Sequence, residues 1–277
     1  MLEKKTKIYW LFILPGCLFL AVFMLIPLFS LIFKTFFDEG GGFSLASYFS
    51  LLDSIYFQQV FWRSIRLSFV STAVCAVLGF PTAYYISKYA KNKGVLMALA
   101  VFPMFTSPVI RSFSWMVILG KKGFINNALV QLGLVEKPIS LLYNEFSMVV
   151  GFIQLFLPLM ILSLIGVMDN ISDDLNLAAG NLGASRANVF RHVILPLSIP
   201  GLVTGSVLVF TGCLTAYTTP QLLGGTDTRV LATMIYQQAM SLGDWTQASV
   251  IAVVMIVVTI LVSSGINAVS RKLNPTI

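Results

Sequence analysis

Six long apolar stretches dominate this sequence and restrict it to very few folds. A helix that crosses a bilayer needs about 20 mostly apolar residues, because no water inside the hydrocarbon region satisfies a bare backbone. The stretches that meet this length are Ile8–Phe33, Ser64–Ser87, Val95–Leu119, Ser147–Met168, Ile199–Thr219 and Thr246–Val269. They predict an all-α polytopic membrane protein with six transmembrane helices. We expect residues 1–277 to form a single transmembrane domain with its core at about 60–270.

The composition also favours lipid as the surrounding solvent. Hydrophobic residues make up 57% of the chain and charged residues 10%, with a mean hydropathy of +0.88, whereas a soluble domain carries about 25% charged residues. The net charge of +7 comes from Lys and Arg scattered between apolar stretches, so it does not form the single basic face typical of nucleic-acid binding. The stretch Ile8–Phe33 exceeds the roughly 7–15 residues of a signal-peptide core, and we expect it to remain as a helix.

The positive charges in the loops predict the orientation of the chain. Loops on the side of the termini hold Lys4, Lys5, Lys7, Lys88, Lys91, Lys93, Arg186, Arg191, Arg271 and Lys272. The opposite loops hold Lys34, Arg63, Lys121, Lys122, Lys137 and Arg229, in longer segments where each charge has less influence. This asymmetry predicts that both termini are cytoplasmic.

Prolines and aromatic residues modify the ends of the apolar stretches. Pro103 and Pro108 fall in the third stretch, and packed neighbours in a bundle re-satisfy the carbonyls that prolines leave free. We therefore expect them to shift helix boundaries only. A group of aromatic residues precedes the second stretch and predicts a short amphipathic segment at the outer headgroups: Tyr48, Phe49, Tyr56, Phe57, Phe61 and Trp62.

The loop at residues 169–196, between the fourth and fifth stretches, has an unusual polar pattern. Ser172 is a good helix N-cap, and Asp173 and Asp174 fall in the first turn, where negative charge complements the helix dipole. Small and apolar residues then recur at helical spacing and form a narrow stripe: Leu175, Ala178, Ala179 and Leu182. This pattern predicts a short cytoplasmic helix whose small-sided stripe allows another surface to approach closely.

The second half of the loop predicts a hairpin. Gly183 permits a sharp stop of the first helix, and Ser185 can cap a second helix that bears Arg186. Pro196 and Pro200 then mark the start of the fifth stretch. The pattern alone leaves two interpretations open, a lever that contacts another protein or a loop that folds onto its own bundle.

The loop resembles the EAA loop of ABC importer permeases. Ala178-Ala179, then Gly183, then Leu195-Pro196 match the spacing of that motif, with Leu177 where the family has Glu. The missing Glu puts its ionic contact with an ATPase in doubt, although Asp173 and Asp174 lie nearby. The resemblance assigns ATPase coupling to a set of residues in the loop: Asp173, Asp174, Leu177, Ala178, Ala179, Gly183, Ala184, Ser185 and Arg186.

Other segments extend the resemblance over most of the chain from about Phe43 onward. Leu78–Tyr84, Pro103–Arg111, Lys122–Asn126, Leu157–Met160 and Leu222–Gly225 are similar to their counterparts in the first permease subunit of spermidine/putrescine importers. The resemblance implies a type I ABC importer permease fold in a bacterial cytoplasmic (inner) membrane, and polyamine as the solute. Related permeases carry other small solutes, such as iron, aminophosphonates or opines, so these stay as alternatives.

The resemblance also implies the partners. Such permeases pair with a second permease subunit, receive solute from an extracytoplasmic solute-binding protein, and are driven by two ATPase subunits. This chain has no GxxxxGK[ST] phosphate loop, so we expect ATP and Mg²⁺ to bind the partner ATPases. We predict no cofactor, metal site or catalytic residue in this chain.

For the solute path the sequence gives candidates only. No Asp or Glu lies inside the six stretches, so a cationic solute has to rely on aromatic faces, carbonyl groups or the second permease. The candidates are Tyr84, Arg111, Trp115, Tyr217, Thr218 and Tyr236. Packing or anchoring at the membrane interface is the competing interpretation for each, and for Arg111 we expect snorkelling to the headgroups.

Two other classes of membrane protein compete with an importer subunit. A secondary transporter or channel usually shows intramembrane acids or two matched halves with broken helices, and a membrane-embedded enzyme needs convergent titratable or metal-binding residues. We find none of these patterns in the sequence.

Overall fold

The computed structural model describes residues 13–37 and 42–273. The first predicted stretch therefore lies partly outside the described residues. Apart from one isolated β-bridge between Phe37 and Phe43, the regular structure in the described ranges is helical. The predicted all-α class is confirmed.

Twelve helices follow one another along the described chain. They are α1 (Ile13–Lys34), α2 (Ala46–Asp53), α3 (Ile55–Lys88), α4 (Lys93–Val101), α5 (Pro108–Leu119), α6 (Phe124–Gln131), α7 (Glu145–Met168), α8 (Asp173–Asn181), α9 (Arg186–Thr215), α10 (Thr218–Leu223), α11 (Leu231–Tyr236) and α12 (Trp245–Leu273). Five of them, α1, α3, α7, α9 and α12, are long and apolar enough to cross a membrane.

The third apolar stretch forms a bent pair of helices, and the described residues have six spans if this pair counts as one. Helix α4 continues through a 3₁₀ turn at Phe102–Phe105, and the pair Lys93–Phe105 and Pro108–Gln131 meets at an angle of 92°. The expectation that Pro108 only shifts a boundary is wrong. Because the residue before a proline is driven to extended backbone, Ser107 adopts ψ 134° and the helix direction changes there.

Two predicted boundaries also differ from the structure. Helix α3 begins at Ile55, so Tyr56, Phe57, Phe61 and Trp62 lie within this long helix, while Tyr48 and Phe49 lie in the separate helix α2. Helix α9 begins at Arg186, well before the predicted start of the fifth stretch at Ile199. In both cases the helix extends beyond its apolar part.

The described residues group into two compact units. The first contains residues up to Gln58 together with Ile235–Val254, and the second contains Gln59–Met234 and Met255 onward. In the second unit, helices α3, α7 and α9 contribute most of the buried core, which includes Cys75, Met160, Leu164, Val209 and Cys213.

Helix α7 is fixed at its N-terminus by a polar cluster. Asn144 and Ser147 form a capping box. Glu145 accepts hydrogen bonds from Arg63 Nε at 3.1 Å and from Arg66 Nη2 at 2.5 Å, and Arg63 Nη1 also donates to the carbonyl of Arg229 at 3.2 Å. These bonds connect Arg66, near the start of the second predicted apolar stretch, to the N-terminus of α7.

Candidate functional site

The loop at residues 169–196 forms the helical hairpin that the sequence predicts. Ser172 precedes α8, and its Oγ accepts a hydrogen bond from the backbone N–H of Asp174 at 3.2 Å, so Ser172 is an N-cap as expected. The carboxylate Oδ2 of Asp174 also accepts a hydrogen bond from Ser172 Oγ at 3.1 Å. The side chains of Asp173 and Leu177 lie outside what the structure describes.

Gly183 ends α8 in a Schellman motif. Its φ is +84°, a left-handed conformation that glycine adopts without steric cost. The N–H of Ala184 donates to the carbonyl of Ala179 at 3.0 Å, which is the six-residue hydrogen bond of this motif. The predicted sharp stop at Gly183 is therefore present in the structure.

The second arm of the hairpin is the fifth span itself. Ser185 caps α9 by accepting from the N–H of Asn188 at 3.4 Å, and the helix then runs on to Thr215. Pro196 has no N–H to continue an α-helical ladder. A π-helical turn at Phe190–Ile194 lies just before it, and Arg186–Thr215 continues as one helix through this turn. Arg186 stands exposed at the start of this arm.

The apolar stripe of α8 faces outward. Leu182 is 89% exposed and Leu175 is 46% exposed, and Ala178 is also exposed, while Ala179 and Ala184 are half-buried. A loop that folded onto its own bundle would bury these side chains. The described side chains thus form a small-sided apolar surface that is open to contact.

The structure places the six solute-path candidates on, or directly before, several different helices. Tyr84 is near the end of α3, where its ring packs against Phe190 at 5.5 Å. Tyr217 precedes α10 and Thr218 begins it. Tyr236 belongs to the other compact unit.

Arg111 and Trp115 are the two candidates that share one site. Both line a small cavity of about 10 Å³ between α5, α7 and α10. Arg111 is only 8% exposed, so the expectation that it snorkels to the headgroups is wrong. Among the described residues none accepts a hydrogen bond from its buried Nη1. A buried donor without an acceptor is costly.

Sequence reasoning missed Gln154, which lines this cavity together with Thr219. Gln154 Oε1 accepts a hydrogen bond from the indole N–H of Trp115 at 2.7 Å, and Thr219 is buried on α10. The sequence did contain one indication of this site, since Gln154 is an isolated amide within the apolar run of α7. A buried polar side chain in a membrane helix needs a hydrogen-bond partner.

Comparisons with known proteins place these features in a family. Residues 17–275 match the family described as binding-protein-dependent transport system inner membrane component. The spermidine/putrescine transport system permease protein PotB of Haemophilus influenzae is 31% identical over 241 residues, which cover 84% of each chain. PotB of Escherichia coli is 29% identical with the same coverage. The molybdenum transport system permease protein ModB of Mycobacterium bovis is 29% identical over 212 residues, 74% of this chain and 76% of ModB.

Solved structures share the fold. A chain of the bacterial alginate ABC transporter, in complex with an alginate pentasaccharide-bound periplasmic protein, superposes with a TM-score of 0.81 at 19% identity, covering 98% of this chain and 96% of the other. A chain of the MetNI methionine ABC transporter gives 0.62 at 16% identity, covering 80% and 99%. The predicted ABC importer permease fold is confirmed.

The matched family consists of membrane components of transport systems, so the prediction of a transport subunit, and not an enzyme, is also confirmed. The inner membrane is the location that the family description gives. This chain belongs to the family of binding-protein-dependent transport system inner membrane components, the permease subunits of ABC importers.

Proposed function

We propose that the hairpin at residues 169–196 seats on a cytoplasmic ATPase subunit and transmits its closure into the membrane bundle. The observation that carries this proposal is the exposed small-sided stripe of α8, which Gly183 joins to a helix continuous with the fifth span. A surface with Ala178 and a protruding Leu182 suits insertion into a groove. In this arrangement both termini are cytoplasmic.

The complex contains a second permease subunit, two ATPase subunits and an extracytoplasmic solute-binding protein. The alginate ABC transporter, which shares the fold and was solved in complex with a periplasmic protein, supports the binding-protein partner. Leu177 occupies the position of the family's Glu, so exposed charged residues near it in the hairpin make the polar contacts to the ATPase. Among the described side chains, Asp174 on the first arm and Arg186 and Arg191 on the second are exposed charges.

Polyamine is the solute that the sequence relatives favour. PotB proteins of several bacteria, described as spermidine/putrescine permeases, are about 30% identical over 84% of the chain. Aromatic side chains can attract a polyammonium cation through their ring faces. Trp115, at the polar cavity, provides one such ring.

An anionic solute is the second candidate, and Arg111 favours it. The described spans contain no carboxylate beyond Glu145 at the start of α7, while Arg111 is buried with one N–H unpartnered. A buried guanidinium attracts anions and repels cations. ModB, a molybdenum transport permease, is 29% identical over 74% of this chain, whereas PotB of Escherichia coli is 29% identical over 84%.

Reconstituted transport separates the two solutes. The complex is purified with its ATPase, second permease and binding protein, and placed in proteoliposomes that contain ATP. We expect ATP-dependent uptake of radiolabelled spermidine or putrescine, and none of molybdate. Uptake of molybdate without polyamine uptake contradicts the polyamine assignment and supports the anion. If no ATPase co-purifies with the chain and the reconstituted protein takes up no solute, the importer proposal itself is contradicted.

Arg111→Met tests whether the cavity is part of the solute path. Methionine fills a similar space without donors, so removal of the unpartnered N–H is expected to stabilise the folded protein by about 1 kcal/mol or more. Uptake is expected to change in the direction that the charge of the solute sets, about fivefold lower for an anion and higher for a polyamine, because a guanidinium attracts anions and repels cations. Thermal unfolding in detergent and proteoliposome uptake measure the two effects.

The matched control is Arg66→Met. Arg66 is paired with Glu145, so its removal gives no gain in stability. If Arg111→Met leaves uptake at the wild-type rate, Arg111 has a packing role only.

A further inference from the structure

Both ends of the hairpin at residues 169–196 are attached to the same short stretch of α3. At the beginning of the loop, Ser87 Oγ donates to Asp169 Oδ1 at 2.6 Å, and Lys88 Nζ donates to the carbonyl of Ile171 at 2.7 Å. These bonds hold the chain immediately before α8, and they join positions about 80 residues apart in sequence.

At the other end of the hairpin the attachment is aromatic. Phe190, in the π-helical turn of α9, lies edge-on to Phe80 with ring centroids 5.7 Å apart and 83° between the planes. It also lies edge-on to Tyr84 at 5.5 Å and 72°. Such perpendicular ring pairs are favourable and directional. The last helical turns of α3 therefore contact the chain on both sides of α8.

A third contact extends the attachment to α4. Lys93, the first residue of α4, forms an ion pair with the second carboxylate oxygen of Asp169. Partial burial alone raises the pKa of the Asp169 carboxyl, but the hydrogen bonds from Lys93 and Ser87 and the charges of Lys93 and Lys88 together lower its pKa below the ordinary value. Asp169 is thus ionised at neutral pH and can keep both partners.

Tight packing lies directly beneath this cluster. Ala83 and Ile86 of α3 are buried together with Met168, the last residue of α7, and with Ile171 just after it. Close-packed cores transmit displacement because they have little free volume. The stripe of α8, in contrast, is exposed, so α8 can bind an ATPase and move with it. The contacts on either side of α8 then transmit this movement to α3.

We propose that the cytoplasmic end of α3, residues 80–88, receives the movement of the hairpin, and that Asp169 and Lys93 are positioning residues that pass it to α4. This inference rests on the proposed coupling function. It also connects the hairpin to the polar cavity, because α4 leads through the 92° bend to α5, which carries Arg111 and Trp115. Closure of the ATPases then displaces the α4–α5 pair through the Asp169–Lys93 contact.

The test uses the complete reconstituted complex and measures solute uptake and ATP hydrolysis in the same vesicles. Asp169→Asn and Lys93→Met remove the charge pair while they retain side-chain length. Each is expected to leave ATPase co-purification unchanged and to lower the uptake per ATP hydrolysed about three- to tenfold. Lys91→Ala, a change of an exposed lysine in the same turn, is the control and is expected to keep the wild-type ratio.

Charge exchange distinguishes positioning from general damage. The double variant Asp169→Lys with Lys93→Asp restores the pair in reverse, and the uptake per ATP is expected to rise above that of either single variant, although Lys88 still repels the lysine introduced at position 169. If both single variants keep the wild-type ratio, or if uptake and hydrolysis fall together and the exchange gives no recovery, the inference is overturned. Should Asp169→Asn fail to fold, Lys93→Met and the exchanged pair decide the matter alone.

Failure of the inference is distinguishable from failure of the proposed function. The proposed function fails if Gly183→Leu retains ATPase association and uptake, whatever the Asp169 variants do. The inference alone fails if Gly183→Leu loses coupling while Asp169→Asn and Lys93→Met transport normally with an unchanged ratio.

Discussion

Replacement of Gly183 with leucine is expected to reduce ATP-dependent uptake about tenfold or more and to weaken association with the ATPase. Gly183 has a φ of +84°, and a side chain in this conformation costs about 1–2 kcal/mol. The hydrogen bond from Ala184 to Ala179 depends on this turn, so the strain is relieved by rotation of α8 away from α9. Uptake in proteoliposomes and co-purification of the ATPase from membranes measure the two losses.

Gly133→Leu is the matched control for backbone strain. Gly133 also has a positive φ, +67°, and a Cβ at either glycine meets no atom within 4 Å. The two substitutions therefore differ in the loop that they strain and not in the kind of strain. Gly133→Leu is expected to leave uptake within about twofold of wild type. Equal losses for the two variants would show that loop strain in general, and not the hairpin, impairs transport.

Gly201→Val is expected to prevent stable packing of α9 on α7. A Cβ at Gly201 would lie 2.8 Å from the carbonyl oxygen of Ser163 and 3.1 Å from Cβ of Val167. Backbone cannot move aside as a flexible side chain can, and overpacking of this kind costs about 1–3 kcal/mol or more. Small residues at helix contacts are what allow membrane helices to approach closely. We expect a large loss of monodisperse protein in detergent and a lower unfolding temperature.

Gly166→Val on α7 provides the comparison for that experiment. A Cβ at Gly166 meets no atom within 4 Å, so the same change in side chain adds no clash. It is expected to purify and unfold like the wild type. If Gly201→Val behaves in the same way, the close contact of α7 and α9 does not determine the stability of this bundle.

The sequence predicts the spans well because lipid imposes one simple requirement on length and apolarity. It predicts their ends poorly where helices extend into water. The start of α9 at Arg186 is polar, so hydropathy does not detect the thirteen residues before Ile199 that continue the same helix. The bend before Pro108 is likewise invisible to hydropathy, because both arms are apolar and only the local rule for residues before proline marks it.

The candidate site was predictable where the signals are local. Ser172, Gly183 and Ser185 each act within a few residues of their own position, and capping chemistry has fixed spacing. Contacts between distant segments were not predictable. Nothing near Asp169 in sequence indicates Ser87 or Lys93 as its partners, and the pairing of Trp115 with Gln154 depends on how α5 packs against α7.

The Ser185→Cys variant tests the central claim most directly, in a form of the chain in which Cys17 is changed to serine. Ser185 is exposed at the tip of the hairpin, while Cys75 and Cys213 are buried. An impermeant maleimide is expected to label this cysteine in inside-out membrane vesicles, and the bound ATPase subunits are expected to slow the labelling. Labelling in right-side-out vesicles, or the same rate with and without the ATPase, would contradict a cytoplasmic hairpin that couples ATP hydrolysis to transport.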